Sequence, residues 1–267
     1  MSRSLVLLGV GNVAIHVARC VSSYSTIHGT TRTAERIDEL RANGIDAHLI
    51  DHQPSIKKIV DDNDVLVSFP PDGVMDAALA AQCIGSRRII YISSTGVYGK
   101  VSGRIDENSN VDGSEPSAAR RLQAEEIWRN RGAVVLRCPG LYASETGMHL
   151  RLNQIKIPGD GSNYVSRIHL DDLARIICAC FEKDEMQRDT YVVGDLHPST
   201  HLETITWLCR QLNAPLPDLA PLSEVSPTLR GNRQIDSSCI LQELQISLHY
   251  PSYKEGYSAI LASVNPG

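Results

Sequence analysis

The chain has 267 residues, 42% of them hydrophobic, and a formal net charge of −5 at pH 7. This length suits one large domain, or one core with a smaller lobe, and the apolar fraction is ample for a core. The mild acidity argues against a nucleic-acid or membrane-surface partner, because both attract basic patches.

The seven cysteines are odd in number and scattered along the chain. A chain of this size does not need disulfides for stability, so we expect free thiols in a reducing cytoplasm. The nine histidines show no metal-ligand spacing along the sequence. We therefore predict a cytoplasmic protein without a metal site.

Strands and helices are predicted to alternate through the first 195 residues. Apolar runs predict strands at 4–8, 26–29, 47–50, 65–69, 88–92, 133–136 and 190–193. Helical spacing predicts helices at 12–21, 34–43, 56–60, 74–83, 116–131 and 170–181. This alternation implies parallel pairing with right-handed crossovers, and hence an α/β fold with a Rossmann-type doubly wound parallel sheet.

The second half of the chain is less regular. Residues 141–166 contain few consecutive apolar positions, and residues 214–226 form a proline-rich loop between predicted helices at 202–212 and 238–244. We predict a dinucleotide-binding core at 1–195, with 141–166 contributing to a smaller C-terminal α/β substrate lobe at 196–267.

A glycine turn follows the first strand. Gly9-x-Gly11-x-x-Ala14 fits the dinucleotide fingerprint, and it lies between a strand and a helix as that fingerprint requires. The helix that begins at Asn12 and Val13 would offer free N–H groups and a partial positive charge to phosphates. The turn therefore predicts a nucleotide-binding site, with a purely structural turn as the alternative.

The end of the second strand predicts which dinucleotide is bound. A carboxylate at this position would accept a hydrogen bond from the ribose 2′-hydroxyl of NAD, but the sequence at 29–33 is Gly-Thr-Thr-Arg-Thr. Arg32 is suited to pair with a 2′-phosphate. We therefore favour NADP over NAD, while a solvated Arg32 at a helix start is the alternative interpretation.

Several ordered motifs together resemble an atypical extended short-chain dehydrogenase/reductase of the NAD-dependent epimerase/dehydratase group. The motifs are the glycine turn, Ser-Ser-Thr-Gly-Val-Tyr-Gly at 93–99, Leu-Arg-Cys-Pro-Gly-Leu-Tyr at 136–142, Arg-Ile-His-Leu-Asp-Asp-Leu-Ala at 167–174 and Tyr-Val-Val-Gly-Asp at 191–195. The resemblance covers nearly the whole chain. It implies a small-molecule substrate, such as a nucleotide sugar, and a homodimer paired through the helices at 74–83 and 116–131.

The resemblance also implies roles for individual residues. Ser94 corresponds to the serine whose hydroxyl hydrogen-bonds the substrate oxygen beside the nicotinamide. The implied cofactor contacts are Asp51 near the adenine, Ser68 and Phe69 at the end of the fourth strand with Pro70 directly after it, and Pro139 beside the nicotinamide.

The chain departs from the family at its catalytic pair. A Tyr acts there as general acid/base, and a Lys four residues later holds the ribose. The Ala124-Glu125 pair sets the register and places Ser117 and Arg121 at these two positions. Serine cannot replace a phenol as a proton donor unaided, whereas Arg121 could still donate to ribose hydroxyls.

Another side chain would have to serve as the proton donor in place of the missing tyrosine. Tyr98 and Tyr142 are expected near the cleft, and Asp106 or Glu107 lies in the loop after the fifth strand. Two hypotheses follow: an NAD(P)-dependent oxidoreductase or epimerase-like enzyme with a reduced catalytic set, or a non-catalytic NADP-binding sensor or regulatory protein.

Overall fold

The computed structural model describes residues 3–50, 56–226 and 229–264, and it contains a central sheet of seven strands. The strands are β1 (Ser4–Leu8), β2 (Thr26–Thr31), β3 (Asp46–Leu49), β4 (Asp64–Val67), β5 (Arg88–Ser94), β6 (Val134–Cys138) and β7 (Thr190–Val192). Within the described residues the helices are α1 (Asn12–Cys20), α2 (Ile37–Ala42), α3 (Lys57–Val60), α4 (Gly73–Ala80), α5 (Pro116–Arg129), α6 (Leu170–Glu182), α7 (His201–Gln211), α8 (Ser238–Leu244) and α9 (Tyr253–Val264).

All neighbouring strands of this sheet run parallel, in the order β7-β6-β5-β4-β1-β2-β3. The chain moves outward from β1 in one direction to β3, then returns to β4 on the other side of β1. This reversal is a topological switch point, where open α/β sheets bind ligands beyond the carboxyl ends of their strands. The predicted Rossmann-type α/β fold is confirmed.

Successive side chains along each strand point to opposite faces of the sheet, so the hydrophobic core lies in two parts, one on each face. Leu5 and Leu7 of β1 belong to the hydrophobic cluster that includes α1 and α6. Val6 and Leu8 point the other way, into a cluster with α3, α4 and α5. Both faces of the strands are buried, which explains why the parallel strands appear in the sequence as continuous apolar runs.

Helices α4 and α5 pack against each other on one face. The Trp128 indole Nε1 donates to Asp76 Oδ1 at 2.7 Å, and its ring stacks on Tyr91 with a centroid separation of 6.3 Å. These contacts fix α5 beside β5 and so position the polypeptide around Ser94. The homodimer through these two helices stays a prediction.

The second half of the chain contains short paired strands and a third cluster of buried side chains. Parallel pairs join Gly103–Ile105 to Arg233–Ile235, Gly140–Tyr142 to Arg167–His169, and Ile157–Pro158 to Leu219–Ala220, whereas Tyr164–Val165 and Ser199–Thr200 are antiparallel. The cluster is built from α7, α9 and the segment around Ile157. The prediction of a boundary at residue 195 is not tested by these contacts, although Ile240 and Leu241 of α8 pack into the α1–α6 side of the core.

Most predicted elements agree with the structure to within a few residues. Strand β2 extends two residues beyond the predicted end, to Thr31. Helix α9 was not predicted, although Tyr253, Tyr257 and Ile260 have the i, i+4, i+7 spacing of a buried helix face and are all buried. In the described part of the chain, no helix is both long and apolar enough to cross a membrane.

Candidate active site and cofactor cleft

The glycine turn after β1 needs glycine at its first position for two reasons. Gly9 has a φ of +82°, in the left-handed region that L side chains rarely adopt. A Cβ on Gly9 would also lie 2.6 Å from the Phe69 Cβ, so the turn packs directly against the end of β4. Gly11 differs, because a Cβ there would meet no atom within 4 Å and would point into open space.

Two hydroxyl groups hold this turn in place. Thr30 Oγ1 of β2 accepts a hydrogen bond from the Gly9 amide at 2.9 Å, and Ser68 Oγ donates to the Gly9 carbonyl at 2.7 Å. Gly11 is the N-cap of α1, and it provides no side-chain acceptor for the first amides of the helix. The free N–H groups at Asn12 and Val13 can therefore bind an anion such as a phosphate.

A cavity of about 420 Å³ surrounds the turn at the carboxyl ends of β1, β2 and β4. Its lining residues are Gly9, Val10, Gly11, Thr30, Thr31, Arg32, Thr33, Arg36, Ile50, Ser68, Phe69, Pro70, Pro71, Asp72 and Met75. The structure thus brings Gly9, Gly11, Arg32, Ser68, Phe69 and Pro70 into one cavity. Asn12 and Val13 begin the helix beside it, and Asp51 lies outside the described residues.

The polar end of this cavity contains two arginines and one carboxylate. Arg32 Nη2 lies 3.3 Å from Asp72 Oδ2, and both side chains are about half exposed. Arg36 was missed from the sequence; its Nη1 donates to the Val10 carbonyl at 2.6 Å, so it leans over the glycine turn. Its position four residues after Arg32, within the 3₁₀ turn before α2, is the sequence feature that could have predicted it.

A second cavity of about 340 Å³ lies beyond the ends of β5 and β6. Its lining residues are Ser94, Thr95, Gly96, Gly99, Glu115, Ser117, Pro139, Gly140, Tyr164, Val165, Ser166, Leu229, Gly231, Arg233 and Ile235. Ser94 is the last residue of β5, and its hydroxyl accepts from the Gly96 amide at 3.1 Å. Three residues singled out from the sequence, Ser94, Ser117 and Pro139, therefore share one cavity.

The loop at Ser94 is held by an arginine from the distant part of the chain. Arg233 donates to the carbonyl oxygens of Thr95, Gly99 and Val101 at 3.1, 2.7 and 3.2 Å. The parallel pairing of Arg233–Ile235 with Gly103–Ile105 brings it there. The guanidinium fixes the loop by binding its backbone, and no local sequence pattern predicts this long-range contact.

Arg121 lies outside the linings of both cavities. Its Nη1 is 3.5 Å from the carbonyl oxygen of Ile92, a long contact to the backbone of β5. The contact of Arg121 with a cofactor ribose stays a prediction. Ser117, in contrast, is exposed in the second cavity near the start of α5.

The structure does not bring Tyr98 or Tyr142 to either cavity. Tyr98 is fully buried, its hydroxyl accepts from Arg137 Nη1 at 3.2 Å, and burial raises its pKa. Tyr142 packs in the third cluster of buried side chains with its ring centroid 4.6 Å from that of Tyr257, and burial raises its pKa too. As placed, neither tyrosine lines the cavity that contains Ser94.

The two loop carboxylates are also turned away from the second cavity. Asp106 accepts from the amide of Asn108 at 2.9 Å, within its own turn. Glu107 Oε1 accepts from the Val192 amide at 3.2 Å, and burial raises its pKa. Tyr164 and Glu115, which the sequence did not single out, are the tyrosine and the carboxylate that line the cavity with Ser94.

A buried ion pair contacts Ser93, the residue next to Ser94 in β5. Glu125 Oε1 accepts from the hydroxyl of the neighbouring Ser93 at 2.6 Å, and Glu125 also pairs with Arg137, Nη2 to Oε2, at 2.8 Å. Glu125 is completely buried and Arg137 nearly so. The pair connects α5, β5 and β6, so Glu125 serves to position this edge of the sheet.

Comparisons with known proteins agree with the fold and the motifs. The model of the NAD dependent epimerase/dehydratase family matches residues 71–194. Protein YeeZ of Escherichia coli (strain K12) is 24% identical over 283 residues, covering 93% of this chain and 97% of that protein. A functionally unknown conserved protein from Silicibacter pomeroyi has a structure with a TM-score of 0.83 and 26% identity, covering 98% of this chain and 99% of that one.

The structure of UDP-glucuronic acid 4-epimerase from Bacillus cereus in complex with NAD is also similar in fold. Its TM-score is 0.77 at 18% identity, and the match covers 98% of this chain and all of that one. The family pattern at 71–194 and the complete Rossmann-type fold confirm the resemblance proposed from the sequence. Over residues 71–194 the chain is therefore similar to the NAD dependent epimerase/dehydratase family.

Proposed function

We propose that this protein is an NAD(P)-dependent oxidoreductase or epimerase-like enzyme that acts on a small polar, nucleotide-sugar-like substrate. The observation that carries this proposal is the arrangement of two cavities along one edge of the same sheet. The first surrounds the glycine turn and the second contains Ser94, with the ends of the adjacent strands β4 and β5 between them.

The first cavity fits the adenosine and pyrophosphate half of a dinucleotide. The open space beside Gly11 leaves room for the pyrophosphate against the backbone, and the amides at the start of α1 donate to it. Phe69 and Pro70 would flank the cofactor where the chain leaves β4, and Pro139 would lie near the nicotinamide. When bound, the nicotinamide supplies the hydride chemistry of the reaction.

Ser94 is the residue that would orient the reacting oxygen of the substrate. Ser94 ends β5, and the loop that follows it is held through hydrogen bonds from Arg233 to the Thr95 and Gly99 carbonyl oxygens, so the position of its hydroxyl is set before substrate binds. Tyr164 contributes a phenol and Glu115 a carboxylate to the lining of the same cavity. We propose that one of these two replaces the phenol that the family normally provides at the position of Ser117.

The similarity to a UDP-glucuronic acid 4-epimerase supports a nucleotide sugar as the first substrate class to test. The lining of the second cavity is suited to such polar ligands, since it combines hydroxyl groups with loop backbone at Thr95, Gly96 and Gly140.

Ser94→Ala is expected to lower turnover about hundredfold or more, because a substrate oxygen loses its hydrogen bond and its orientation. Binding of the dinucleotide should change little, since Ser94 lines the second cavity and not the first. The measurement is product formation from UDP-glucuronic acid and other nucleotide sugars by NMR. Ser114→Ala, in the exposed loop before α5, is the control and should retain full activity.

We further propose NADP as the preferred cofactor. Arg32 and Arg36 lie in the lining of the first cavity with the hydroxyls of Thr31 and Thr33, and together they suit a 2′-phosphate. Asp72 pairs with Arg32, but the pair is solvent-exposed and costs little to open. NAD is the alternative, because the Bacillus cereus structure contains NAD.

Arg32→Ala is expected to weaken NADPH binding about tenfold to hundredfold, because hydrogen bonds to charged groups contribute about 1.5–3 kcal/mol. NADH binding should remain within about twofold of wild type. Calorimetric titration with each cofactor measures the two affinities. Arg41→Ala removes an exposed arginine of α2 that is outside the cavity and is the matched control; equal losses for both cofactors would contradict NADP selectivity.

The second candidate function is a cofactor-binding sensor without chemistry. It is motivated by Ser117 and Arg121 at the positions of the catalytic pair, and by the contact of Arg121 with the Ile92 carbonyl outside both cavities. A sensor would bind the dinucleotide as tightly as the enzyme would, but show no turnover across the nucleotide-sugar panel. In that case Ser94→Ala would leave every measured property unchanged.

A further inference from the structure

Three potential metal ligands converge on the outer strands of the sheet. His28 lies on β2, and Asp46 and His48 lie on β3, the edge strand. Asp46 Oδ2 is 3.0 Å from His28 Nδ1 and 3.3 Å from His48 Nε2, and the two nitrogens are 3.2 Å apart. These residues come from two strands, so their convergence is not visible as a ligand spacing along the sequence.

The strand register accounts for this convergence. His28 pairs directly with Asp46 across the parallel strands, so both side chains leave the same face of the sheet. His48 is two residues after Asp46 and therefore points to that face as well. The backbone alone thus places two imidazoles and a carboxylate together.

The distances between the three side-chain atoms are close to those between neighbouring ligand atoms of a zinc ion. A tetrahedral zinc ion with bonds of about 2.0–2.1 Å holds neighbouring ligand atoms roughly 3.3–3.4 Å apart. The observed separations of 3.0, 3.2 and 3.3 Å approach these values before any ion is considered. Two histidines and a carboxylate also form a ligand set that zinc uses in proteins, with a fourth position left for water.

Hydrogen bonds alone do not satisfy all three contacts. If both imidazoles donate to Asp46 Oδ2, their two N–H groups crowd each other across the 3.2 Å gap between the nitrogens. If one imidazole donates to the other, a nitrogen lone pair faces the carboxylate. A divalent cation replaces the protons and makes every contact favourable.

We propose that His28, Asp46 and His48 bind a zinc-class divalent cation that clips the edge strand β3 to β2. The site is partly exposed, since the three side chains are 18%, 54% and 37% accessible, so an ion can enter from solvent. His48 pairs in register with Thr30, whose hydroxyl holds the Gly9 amide. The bound ion therefore stabilises strand β2, which supports the glycine turn through Thr30.

Zinc titration of the untagged, chelator-treated full chain tests this site. Calorimetry is expected to detect one ion per chain, and His48→Gln and Asp46→Asn should each weaken that binding by about tenfold to hundredfold or more. His249→Gln removes an exposed histidine from a different part of the molecule and is the matched control. At a zinc concentration that saturates wild type, the melting temperature of wild type and of His249→Gln should rise, and that of His48→Gln should rise clearly less.

Cobalt(II) absorption identifies the ligand atoms. Nitrogen and oxygen ligation predicts visible cobalt bands without a thiolate charge-transfer band, and these bands should disappear in His48→Gln. A thiolate band that survives in His48→Gln would assign binding to cysteines and overturn the proposal. Absence of saturable binding, or equal zinc affinity in wild type and His48→Gln, would overturn it as well, provided the metal-free melting temperatures of the two proteins agree.

Discussion

Gly9→Ala is expected to lower the free energy of unfolding by about 2–4 kcal/mol and to abolish dinucleotide binding. A φ of +82° at a residue with a side chain costs of order 1–3 kcal/mol, and the new methyl group would overlap the Cβ of Phe69 at 2.6 Å. Relief of that overlap moves the turn away from β4 and disrupts the amides that would bind the pyrophosphate. Urea denaturation measures the first effect and NADPH calorimetry the second.

Gly11→Ala separates the two effects. A Cβ at this position meets no atom within 4 Å, and the residue has a φ of −110°, so stability should stay within about 0.5 kcal/mol of wild type. The methyl group would instead occupy the space left for the pyrophosphate, and binding should fall at least about tenfold. Unchanged NADPH affinity in Gly11→Ala would show that the phosphates lie elsewhere.

Glu125→Ala is expected to destabilise the protein by about 3–5 kcal/mol, because it leaves the buried charge of Arg137 without its carboxylate. Arg137 donates to Glu125 through Nε at 3.1 Å and through Nη2 at 2.8 Å, and the variant would also free the Ser93 hydroxyl. The loss would loosen β5 next to Ser94. Thermal and urea unfolding monitored by circular dichroism provide the measurement.

Arg129→Ala is the matched control for this ion pair. Its Nη1 is 4.0 Å from Glu125 Oε2 and its side chain is about one-third exposed, so the change should cost no more than about 1 kcal/mol. Comparable losses for Arg129→Ala and Glu125→Ala would contradict the account, because the penalty is assigned to a specific unpaired charge and not to helix α5 in general.

The sheet and the glycine turn could be predicted because they are encoded locally. Residues 5–8 and 65–67 are buried on both faces of the sheet, and the left-handed Gly9 with the small Ala14 follows from the turn itself. Helix α9 was missed even though its spacing was present. Its tyrosines have a polar hydroxyl on an apolar ring, so the sequence alone does not show that they are buried. Their burial depends on contacts with distant residues, such as that of Tyr257 with Tyr142.

The second cavity was harder to predict because residues far apart in sequence build it. Ser94 and Pro139 follow from strand ends and motifs, but Tyr164 and Arg233 reach the cavity through short strand pairs that carry no strong pattern. Tyr98 and Tyr142 lie close to Ser94 and Pro139 in sequence, yet their side chains point into buried clusters. Closeness in sequence therefore did not identify the tyrosine that lines this cavity, which is Tyr164.

Titration of the full-length protein with NADPH and NADH by calorimetry tests the central claim most directly. We expect saturable binding at one site per chain, tighter for NADPH than for NADH, and weakened in Gly11→Ala while that variant remains folded. No detectable binding of either dinucleotide to the folded wild-type protein would contradict it.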